Sequence, residues 1–562
     1  MENQQCKSEA AKEKTADTST PKDNYLDALI ITIGQFGRFQ TINYVMLCLP
    51  IICNAFYSIS YVFTASDVVH RCNISQCDDL KSSYIEPWLN FTIPEHNGEW
   101  DACKHYEAIP GIDGHCDAPY FNKSYQASCE AGYKFRDNEN TIATEFNIFC
   151  SSRWKLSMVG TVNNIGQFVG IPLGGYLADR YGRKLILVVT GVLSALCGLA
   201  RSYAPDYYSF LSFEFLDMAV GSTLFPTAFL LAIELVGPKH RVVAAMVISL
   251  TYGLAEAAMG YLASYIMDWR VLLRVLYTPA LLHLIFICYL PESVRWLLSQ
   301  SREEDAIQTL RKVARVNQRA LPDDQLNELI QTNRELVANS EATDGHYSVR
   351  QIFNALGLRI AQCCFLWFTN TLIALGLTLN SIGLSGNKFQ NFIMTGFMQL
   401  PGIILGTLLM HRFGRRWTLS LFLSSCSILL LAMAILDGDY PTFSWGLYFL
   451  AKMTSTGSFM VLYFFTSEIF PTSCRNSLLS FCSMMGRFGS MLAPQTPLLI
   501  YYYKYAPHLL FATFGLLSSV IALFFPETAN KVLPTTLEEA RALDRSMPMK
   551  HPKVTEDSKT AV

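Results

Sequence analysis

Residues 174–184 read GGYLADRYGRK, and a related stretch, GTLLMHRFGRR, occupies residues 406–416. Aligning Asp179 with His411 gives an offset of 232 residues. In each copy a small and apolar run leads into a glycine that is followed by two basic residues. Self-similarity at a fixed spacing predicts a chain built from two similar halves.

Two further pairs of motifs follow in the same order. IELVGPKHR at 233–241 resembles SEIFPTSCR at 467–475, with an offset of 234 between their glutamates. PESVRWLL at 291–298 resembles PETANKVLP at 526–534, with an offset of 235 between their first prolines. Three landmarks at nearly one offset favour two halves in parallel orientation.

The composition is that of a membrane protein. Of 562 residues, 51% are hydrophobic and only 16% are charged, whereas soluble domains carry about a quarter charged residues. Apolar runs of about 20 residues are long enough to cross a bilayer as helices. We predict an all-α membrane protein with twelve spanning helices at 42–65, 156–178, 185–203, 208–233, 242–266, 271–290, 358–380, 388–410, 417–436, 443–466, 476–500 and 507–525.

The topology follows from the N-terminus and the basic loops. The first forty residues contain neither an apolar core nor a small-residue cleavage site, so we expect no removable signal peptide. Basic motifs such as DRYGRK and HRFGRR then lie on the cytosolic side, as the positive-inside rule requires. We expect a multi-pass plasma-membrane protein divided into a cytosolic segment 1–41, a half 42–290, a cytosolic linker 291–357 with short helices, a half 358–525 and a cytosolic tail 526–562.

Segment 66–152, between predicted helices 1 and 2, is polar and predicted to be extracellular. It holds three glycosylation sequons and six cysteines: Asn73, Asn90, Asn122, Cys72, Cys77, Cys103, Cys116, Cys129 and Cys150. Disulfides persist outside the cell, so the segment predicts a small, disulfide-stapled, glycosylated domain. Its pairing stays open because six cysteines permit many connectivities. A zinc site is the competing interpretation, although paired CxxC elements are missing from this segment.

The repeat and its motifs resemble known transporters. Two parallel six-helix halves with a cavity between them form the architecture of the major facilitator superfamily. GGYLADRYGRK resembles that superfamily's first cytosolic-loop signature, and PESVRWLL resembles the motif after helix 6 in organic-ion and sugar porters. With IGQFGRFQ at 33–40, the cysteine-bearing loop and FTSEIFPTSCRN at 465–476, essentially the whole chain resembles the organic cation, organic anion and carnitine transporter family.

This resemblance implies a secondary transporter that works by alternating access and is not an enzyme. We expect the bilayer and a small organic ion as partners, no nucleic acid, no metal and no cofactor, with Na⁺ or H⁺ left open as the coupling ion. The sequence also lacks the GxSxG, HExxH and P-loop motifs of common enzymes. A hexose porter and a non-transporting ligand sensor are the alternatives.

Arg487 is a charged residue in an otherwise apolar stretch. It lies twelve residues past Arg475, about 18 Å along a helix and near mid-membrane. An arginine there costs about 2.5–3.5 kcal/mol on insertion scales, so it must face water or a counter-charge. By resemblance, cation transporters carry an acid at this helix-11 position, whereas anion and carnitine transporters carry arginine. Because a guanidinium binds a carboxylate bidentately, we predict that Arg487 binds the substrate's carboxylate.

Three acids also lie in predicted spans. Glu256 falls in helix 5, and Glu214 and Asp217 fall in helix 4, where the family resemblance leads us to expect an arginine at position 214. One interpretation is that they bind a substrate ammonium, Glu256 above all. The other is an internal salt bridge to Arg487 or Lys452, or a protonated silent acid. Charges of both signs around one cavity predict a zwitterion, carnitine-like or related to β-alanine, with an organic anion as the alternative and Glu256 then a proton site.

Aromatic and amide side chains complete the predicted cavity. A ring face can hold an ammonium, and the candidates are Phe225, Phe229, Trp367, Asn370 and Tyr463. Ordinary helix packing is the competing interpretation of each.

The repeated loop motifs predict gates. Asp179, at the cytosolic mouth with Arg183, can bond a guanidinium or a helix N-terminus of the other half only when the inner gate is closed. Glu234 with Arg241 and Glu468 with Arg475 are the matching latches, unless the basic residues only set the topology. The chain ends in KTAV, and Thr560 and Val562 fit a carboxylate motif for a PDZ-domain partner.

Overall fold

Helices make up most of the structure, a computed structural model. It describes residues 21–79, 82–96, 99–109, 116–237, 240–342, 348–436, 441–471, 474–529, 534 and 537–542. The helices up to residue 289 are α1 (Pro21–Thr32), α2 (Arg38–Ile59), α3 (Tyr61–Thr64), α4 (Leu89–Thr92), α5 (Ile142–Glu145), α6 (Trp154–Tyr181), α7 (Arg183–Arg201), α8 (Tyr207–Gly221), α9 (Leu224–Glu234), α10 (Arg241–Tyr265), α11 (Trp269–Tyr277) and α12 (Phe286–Tyr289).

The linker and the second half continue the helical pattern. Their helices are α13 (Val294–Ser299), α14 (Glu303–Val316), α15 (Asp323–Ala342), α16 (Val349–Asn380), α17 (Lys388–Phe413), α18 (Arg415–Leu436), α19 (Pro441–Ile469), α20 (Arg475–Leu492), α21 (Ala506–Leu523) and α22 (Leu537–Ala542). Among the described residues, 3₁₀ segments lie at Ala118–Tyr120, Cys150–Ser152, Thr278–Ile285, Ser381–Gly383 and Ala493–Tyr501.

Each of the twelve apolar runs falls on helix, and some are broken where proline or glycine interrupts the hydrogen-bond ladder. Within the described ranges, nine helical segments are long and apolar enough to cross a membrane. The runs that fall short of this criterion lie on α6, α19 and α20, which carry Gln167, Lys452 and Arg487. These helices hold polar groups because they turn them toward the protein interior.

The repeated motifs form the same joint in both halves. The carboxylate of Glu292 accepts hydrogen bonds from the backbone N–H of Arg183 and Lys184, at 3.1 and 3.2 Å, at the start of α7. Glu527 accepts from the N–H of Arg415 and Arg416, at 2.8 and 3.1 Å, at the start of α18. A carboxylate stabilises a helix N-terminus, where backbone N–H groups lack intrahelical partners.

The turn before each of these helices needs glycine. Gly182 has φ +105° and Gly414 has φ +89°, a region that side chains with a Cβ rarely adopt. The repeat found in the sequence is therefore a helix–turn–helix joint closed by a glutamate from a later motif.

The segment 66–152, here called the lobe, contains the six strands found among the described residues. These are β1 (His70–Cys72), β2 (Glu95–His96), β3 (Glu99–Trp100), β4 (Lys104–Ala108), β5 (Phe121–Ser128) and β6 (Tyr133–Phe135). They form three antiparallel pairs, β1 with β6, β2 with β3 and β4 with β5. The expectation of an all-α chain is wrong here. The strands are too short to show an extended alternation of apolar and polar residues in the sequence.

Disulfides hold the lobe together. Cys72 pairs with Cys129, Cys77 with Cys116 and Cys103 with Cys150. The lobe's own core is small, with Cys72, Ile74, Leu89, Ile93 and Phe121 buried. A core of this size needs covalent staples. Since all six cysteines are paired, the zinc interpretation is wrong.

The linker packs on the first half. Asn317, just after α14, accepts from Phe39 N–H at 3.0 Å and donates to Ile33 C=O at 3.1 Å. Asp27 of α1 binds Arg241 at 2.7 Å and also binds Arg295. Helix α1 was not predicted, although Leu26, Leu29, Ile30 and Ile33 have helical spacing and are buried.

Candidate functional site

The two halves meet along a seam formed by α10 against α17 and α6 against α20. Glycines allow the backbones to approach closely: a Cβ on Gly396 would lie 2.6 Å from Ala257 N, and one on Gly260 would lie 2.9 Å from Phe392. Small residues at helix contacts are the usual means of close packing in membranes. The helices of the two halves are therefore in close contact beside these glycines.

Arg487 lies on α20 at this seam and is half-buried. Its Nη1 donates to Gln167 Oε1 of α6 at 2.9 Å. Among the described residues, no carboxylate forms an ion pair with it, so the competing interpretation of a salt bridge from Glu214, Asp217 or Glu256 does not hold in this conformation. A guanidinium held by a neutral amide keeps its charge available to an anionic guest.

Two of the predicted aromatic residues lie near Tyr252, a neighbour of Arg487 in electrostatic terms. Tyr252 of α10 lies within electrostatic range of both Arg487 and Glu256, and its hydroxyl is 3.0 Å from Ser58 Oγ. The Phe225 ring meets Tyr252 edge-on with centroids 5.6 Å apart, and Phe229 stacks on Phe225 at 5.9 Å. The structure thus places Phe225 against Tyr252 and Phe229 against Phe225. Tyr252, which the sequence analysis missed, is the residue of this group that interacts electrostatically with Arg487.

Glu256 is buried and bonded to the second half. It accepts a hydrogen bond from Thr378 Oγ1 at 3.1 Å and another from Gln399. Lys452 of α19 donates to the same Thr378 hydroxyl at 2.6 Å. The possible salt bridge of Glu256 to Lys452 is not formed directly among the described residues, because the Thr378 hydroxyl lies between the two groups. Glu256 links α10 to α16 and α17.

Glu214 and Asp217 lie inside the first half, with Arg201 as their shared cation. Arg201 Nη1 binds Glu214 and lies 3.6 Å from Asp217 Oδ2. All three are completely buried. Their cation is therefore neither of the two candidates from the sequence, Arg487 and Lys452. Arg201 was missed because it ends an apolar run, where a basic residue looks like an ordinary helix terminus.

Trp367, Asn370 and Tyr463 belong to a separate cluster in the second half. Trp367 Nε1 donates to Thr466 Oγ1 at 3.0 Å, and its ring is 6.1 Å from that of Tyr463. Asn370 accepts from Ser458 Oγ at 2.9 Å, while its Nδ2 is unpartnered in the described structure. None of these contacts reaches Arg487.

The predicted gate residues form pairs inside each half. Arg183 binds Asp179 at 3.1 Å and lies 3.8 Å from Glu234. Arg415 binds Glu468 at 2.9 Å, the matching position of the repeat. The pairings of Glu234 with Arg241 and of Glu468 with Arg475 are not those of the structure.

The two arginines of those expected pairs have other partners. Arg241, the first residue of α10, reaches Asp27 of α1. Arg475 Nε donates to the Phe470 carbonyl at 3.3 Å. Sequence proximity misassigned Arg241 because its partner, Asp27, lies far away in the chain on α1.

The lobe presents its three sequons at or near its surface. Asn90 is exposed, while Asn73 and Asn122 are half-exposed. Asn73 Nδ2 donates to Ala131 C=O at 3.0 Å, and Asn122 Oδ1 accepts from Ser124 N–H at 3.0 Å. Thr560 and Val562 lie outside the described residues.

Comparison with known proteins identifies similar transporters. The profile of the family described as sugar (and other) transporter matches residues 95–540. "Organic cation transporter 1" of Caenorhabditis elegans is 28% identical over 93% of this chain and 89% of its own length. "Organic cation/carnitine transporter 2" of Homo sapiens is 27% identical over 94% of this chain and 95% of its own.

Solved structures show the same fold. The inward-open conformation of the xylose transporter XylE from E. coli covers 90% of this chain and 99% of its own, with a TM-score of 0.59 and 16% identity. The proton:xylose symporter XylE bound to 6-bromo-6-deoxy-D-glucose covers 71% of this chain and 93% of its own, with a TM-score of 0.54 and 18% identity.

Proposed function

This chain belongs to the sugar and other transporter family of the major facilitator superfamily, in its organic cation, organic anion and carnitine transporter group, and we propose that it carries small zwitterions across the plasma membrane. The zwitterion bears a carboxylate and an amine, as carnitine, β-alanine and related amino acids do. As a member of a transporter family, the chain is a secondary transporter and not an enzyme.

The observation that carries the proposal is the partner of Arg487. An arginine in a membrane-spanning helix is costly unless it is paired, yet Arg487 donates its hydrogen bond to the neutral amide of Gln167. A carboxylate can replace that amide and gain a charge-assisted, bidentate contact. We therefore assign Arg487 to the substrate carboxylate.

The opposite end of the guest faces aromatic rings and an acid. Tyr252 interacts electrostatically with both Arg487 and Glu256, and Phe225 meets its ring edge-on. Ring faces attract ammonium groups by about 0.5–2 kcal/mol, depending on desolvation. This juxtaposition of a guanidinium, rings and a carboxylate supports a guest with both charges.

A plain organic anion is the second candidate. Both oxygens of Glu256 already accept hydrogen bonds, from Thr378 and Gln399. That occupancy favours a structural role for Glu256 and leaves Arg487 as the charged group for the guest. A neutral hexose, by contrast, gives Arg487 no counter-charge.

In this proposal the chain crosses the membrane twelve times, with both termini in the cytosol and the lobe outside the cell. Transport occurs by alternating access. The contacts across the lobe end support an inward-facing state for this structure: Lys388 binds Glu139 of the lobe and lies 3.5 Å from Ser66 Oγ. Phe63 meets Phe392 edge-on at 4.8 Å. At the linker end, the ion pairs of Arg183 and Arg415 stay within their own halves.

Uptake assays test this proposal. Cells expressing the chain are given labelled carnitine, β-alanine, an aromatic monocarboxylate and tetraethylammonium in turn. We expect uptake of a zwitterion, at least tenfold reduced in Arg487→Ala and partly kept in Arg487→Lys, because lysine retains the charge but loses the bidentate geometry.

Glu256→Gln separates the two candidates. Loss of zwitterion uptake with anion uptake kept supports a zwitterion carrier, whereas uptake of the monocarboxylate alone, unaffected by Glu256→Gln, supports the anion carrier. Full carboxylate uptake by Arg487→Ala would contradict both. Saturable binding of a probe without uptake would instead indicate a sensor.

A further inference from the structure

The first half contains a charge cluster that the proposed substrate site does not use. Arg201 of α7 faces Glu214 and Asp217 of α8, and the relative exposure of each is 0%. One guanidinium thus meets two carboxylates inside a membrane helix bundle. If both acids are ionised, the cluster carries a net charge of −1 where charge is poorly solvated.

Glu214 is held as an ionised group. Its Oε1 accepts from Asn163 Nδ2 at 2.7 Å, and its Oε2 accepts from Arg201 Nη1. Amide and guanidinium N–H groups can only donate, so both oxygens of Glu214 act as acceptors. The guanidinium therefore compensates this carboxylate.

Asp217 has a different set of partners. Ser194 and Tyr277 donate to its two oxygens, and Arg201 lies farther away at 3.6 Å. A hydroxyl can also accept a hydrogen bond, so this environment can accommodate a protonated Asp217 after the hydroxyls rotate. Arg201 in turn donates to Tyr277 Oη at 2.9 Å and to Ser60 Oγ at 3.2 Å.

The remaining titratable neighbours of Asp217 do not supply a second positive charge. From α2 comes Tyr57, whose ring stacks on Tyr277 with centroids 4.1 Å apart and which lies beside Cys53. From α7 comes Cys197, and from α11 comes Tyr277. In the part of the chain that the structure describes, Arg201 is the cation that acts on these two carboxylates, and a proton on one of them makes the cluster neutral.

A chain of hydrogen bonds joins this cluster to Arg487. Arg487 donates to Gln167 Oε1 at 2.9 Å, and Gln167 Nε2 donates to Asn163 Oδ1 at 2.9 Å. Asn163 then donates to Glu214. A substrate carboxylate that displaces Gln167 from Arg487 frees the Gln167 side chain to reorient. Because Gln167 bonds Asn163 and Asn163 bonds Glu214, this movement alters the contacts of Glu214 and of Arg201.

We propose that Asp217, beside the Arg201–Glu214 pair, is the proton-binding site that couples a proton gradient to transport. The proposal rests on the proposed function and names its coupling ion. One proton from the aqueous phase binds a carboxylate oxygen of Asp217 in one orientation of the carrier and leaves to the opposite phase in the other, and no covalent bond besides this O–H forms or breaks. Arg201 and Glu214 position the acid.

Proteoliposomes with a pH-sensitive dye inside test the proposal, with the membrane potential clamped by potassium and valinomycin. The probe is whichever of labelled carnitine, β-alanine or the monocarboxylate the wild type transports. With one proton per substrate, an inward gradient of one pH unit drives about tenfold accumulation, because one pH unit is a tenfold ratio. We expect this accumulation, with acidification of the lumen, for the wild type.

Asp217→Asn is expected to exchange labelled for unlabelled probe but to show no accumulation and no lumenal pH change. Asp206→Asn is the matched control on the same helix, since Asp206 is an exposed N-cap outside the cluster, and it is expected to respond like the wild type. A full proton response in Asp217→Asn would overturn the proposal.

If Asp217→Asn fails to fold, the wild-type measurement alone still tests whether transport is coupled to proton movement. Probe transport by the wild type without proton movement overturns the proton site and leaves the proposed function standing. If no probe is transported in either assay, it is the proposed function that fails.

Discussion

Arg487 of α20 and Gln167 of α6 form a 2.9 Å hydrogen bond that crosses the seam between the two halves. A charged donor thus meets a neutral acceptor, in a region where an arginine would be expected to keep a carboxylate partner. The contact joins the halves, and if Arg487 binds the substrate carboxylate as we propose, an anion there competes directly with a contact between the halves.

Replacing Gln167 tests that competition. In Gln167→Glu, the new carboxylate pairs with Arg487 and excludes the substrate, and we expect carboxylate uptake to fall at least tenfold. The matched variant Gln167→Leu adds no charge and should retain more uptake. Radiolabel uptake normalised to surface protein measures both, and equal losses would show that competition for Arg487 is not the cause.

Lys388 of the second half forms an ion pair with Glu139 of the lobe, and we expect this pair to hold the carrier closed at the lobe end. Exposed or partly exposed ion pairs are worth about 0.2–1 kcal/mol, so Glu139→Gln should shift the population toward the state open at the lobe end by up to about fivefold. Thr161 lies in the lobe-side half of the seam. In a Thr161→Cys protein, opening at the lobe end should increase the rate of labelling by an impermeant thiol reagent.

Glu145→Gln is the control for this latch. Glu145 also binds an arginine near the lobe, Arg270, but both residues belong to the first half. Labelling of the Thr161→Cys protein should not change in Glu145→Gln. An equal increase in both variants would indicate a general loosening of the lobe.

The two helix joints should contribute to stability in parallel. Glu292→Gln and Glu527→Gln each remove a charge from a helix N-terminus, an effect of typically about 0.3–2 kcal/mol. Both should lower the melting temperature of detergent-purified protein, whereas Glu107→Gln on an exposed strand position should not. A lower melting temperature in only one of the two variants would show that the two joints do not contribute equally to stability.

We expect His70 to make the stability of the lobe sensitive to acid. Burial lowers the pKa of His70, and charge repulsion from Arg153 adds to this, while the Val68 carbonyl and Asp67 oppose it. Because the folded pKa lies below the unfolded value of about 6.5, stability is full above that pH and is lost as the pH falls toward the folded pKa. Protease cleavage of the lobe should therefore accelerate between about pH 7 and pH 5.

His70→Gln should remove much of this acid sensitivity. Glutamine cannot be protonated in this range, although it packs less well against Tyr133 and Phe149. Its lobe is expected to be somewhat less stable at neutral pH and to change little on acidification. Identical pH profiles for both proteins would assign the sensitivity to another group.

Much of the architecture was accessible from the sequence. The repeat, the apolar runs and the family motifs predicted the major facilitator fold and the transporter class, and the comparisons confirm the family. Position along an apolar helix was enough to select Arg487 and Glu256, because a charge in such a segment is costly whatever surrounds it.

The partners of those charges were not accessible. The sequence placed Glu234 with Arg241 and Glu468 with Arg475, whereas the folded chain pairs these acids with Arg183 and Arg415. Arg201 was overlooked because it stands at the end of its helix. Side chains that meet across helices depend on rotation and crossing geometry, which periodicity alone does not specify.

The sequence by itself determined that this chain lies in a membrane as two related halves with charges buried between apolar runs, because hydrophobic length, repeat spacing and the cost of a buried charge are properties of the linear chain. Only the tertiary structure decided which charges compensate each other, which cysteines pair and that Arg487 faces an amide of the other half. Those contacts join residues far apart in the chain, and their free energy depends on distance and burial, which exist only once the helices have packed.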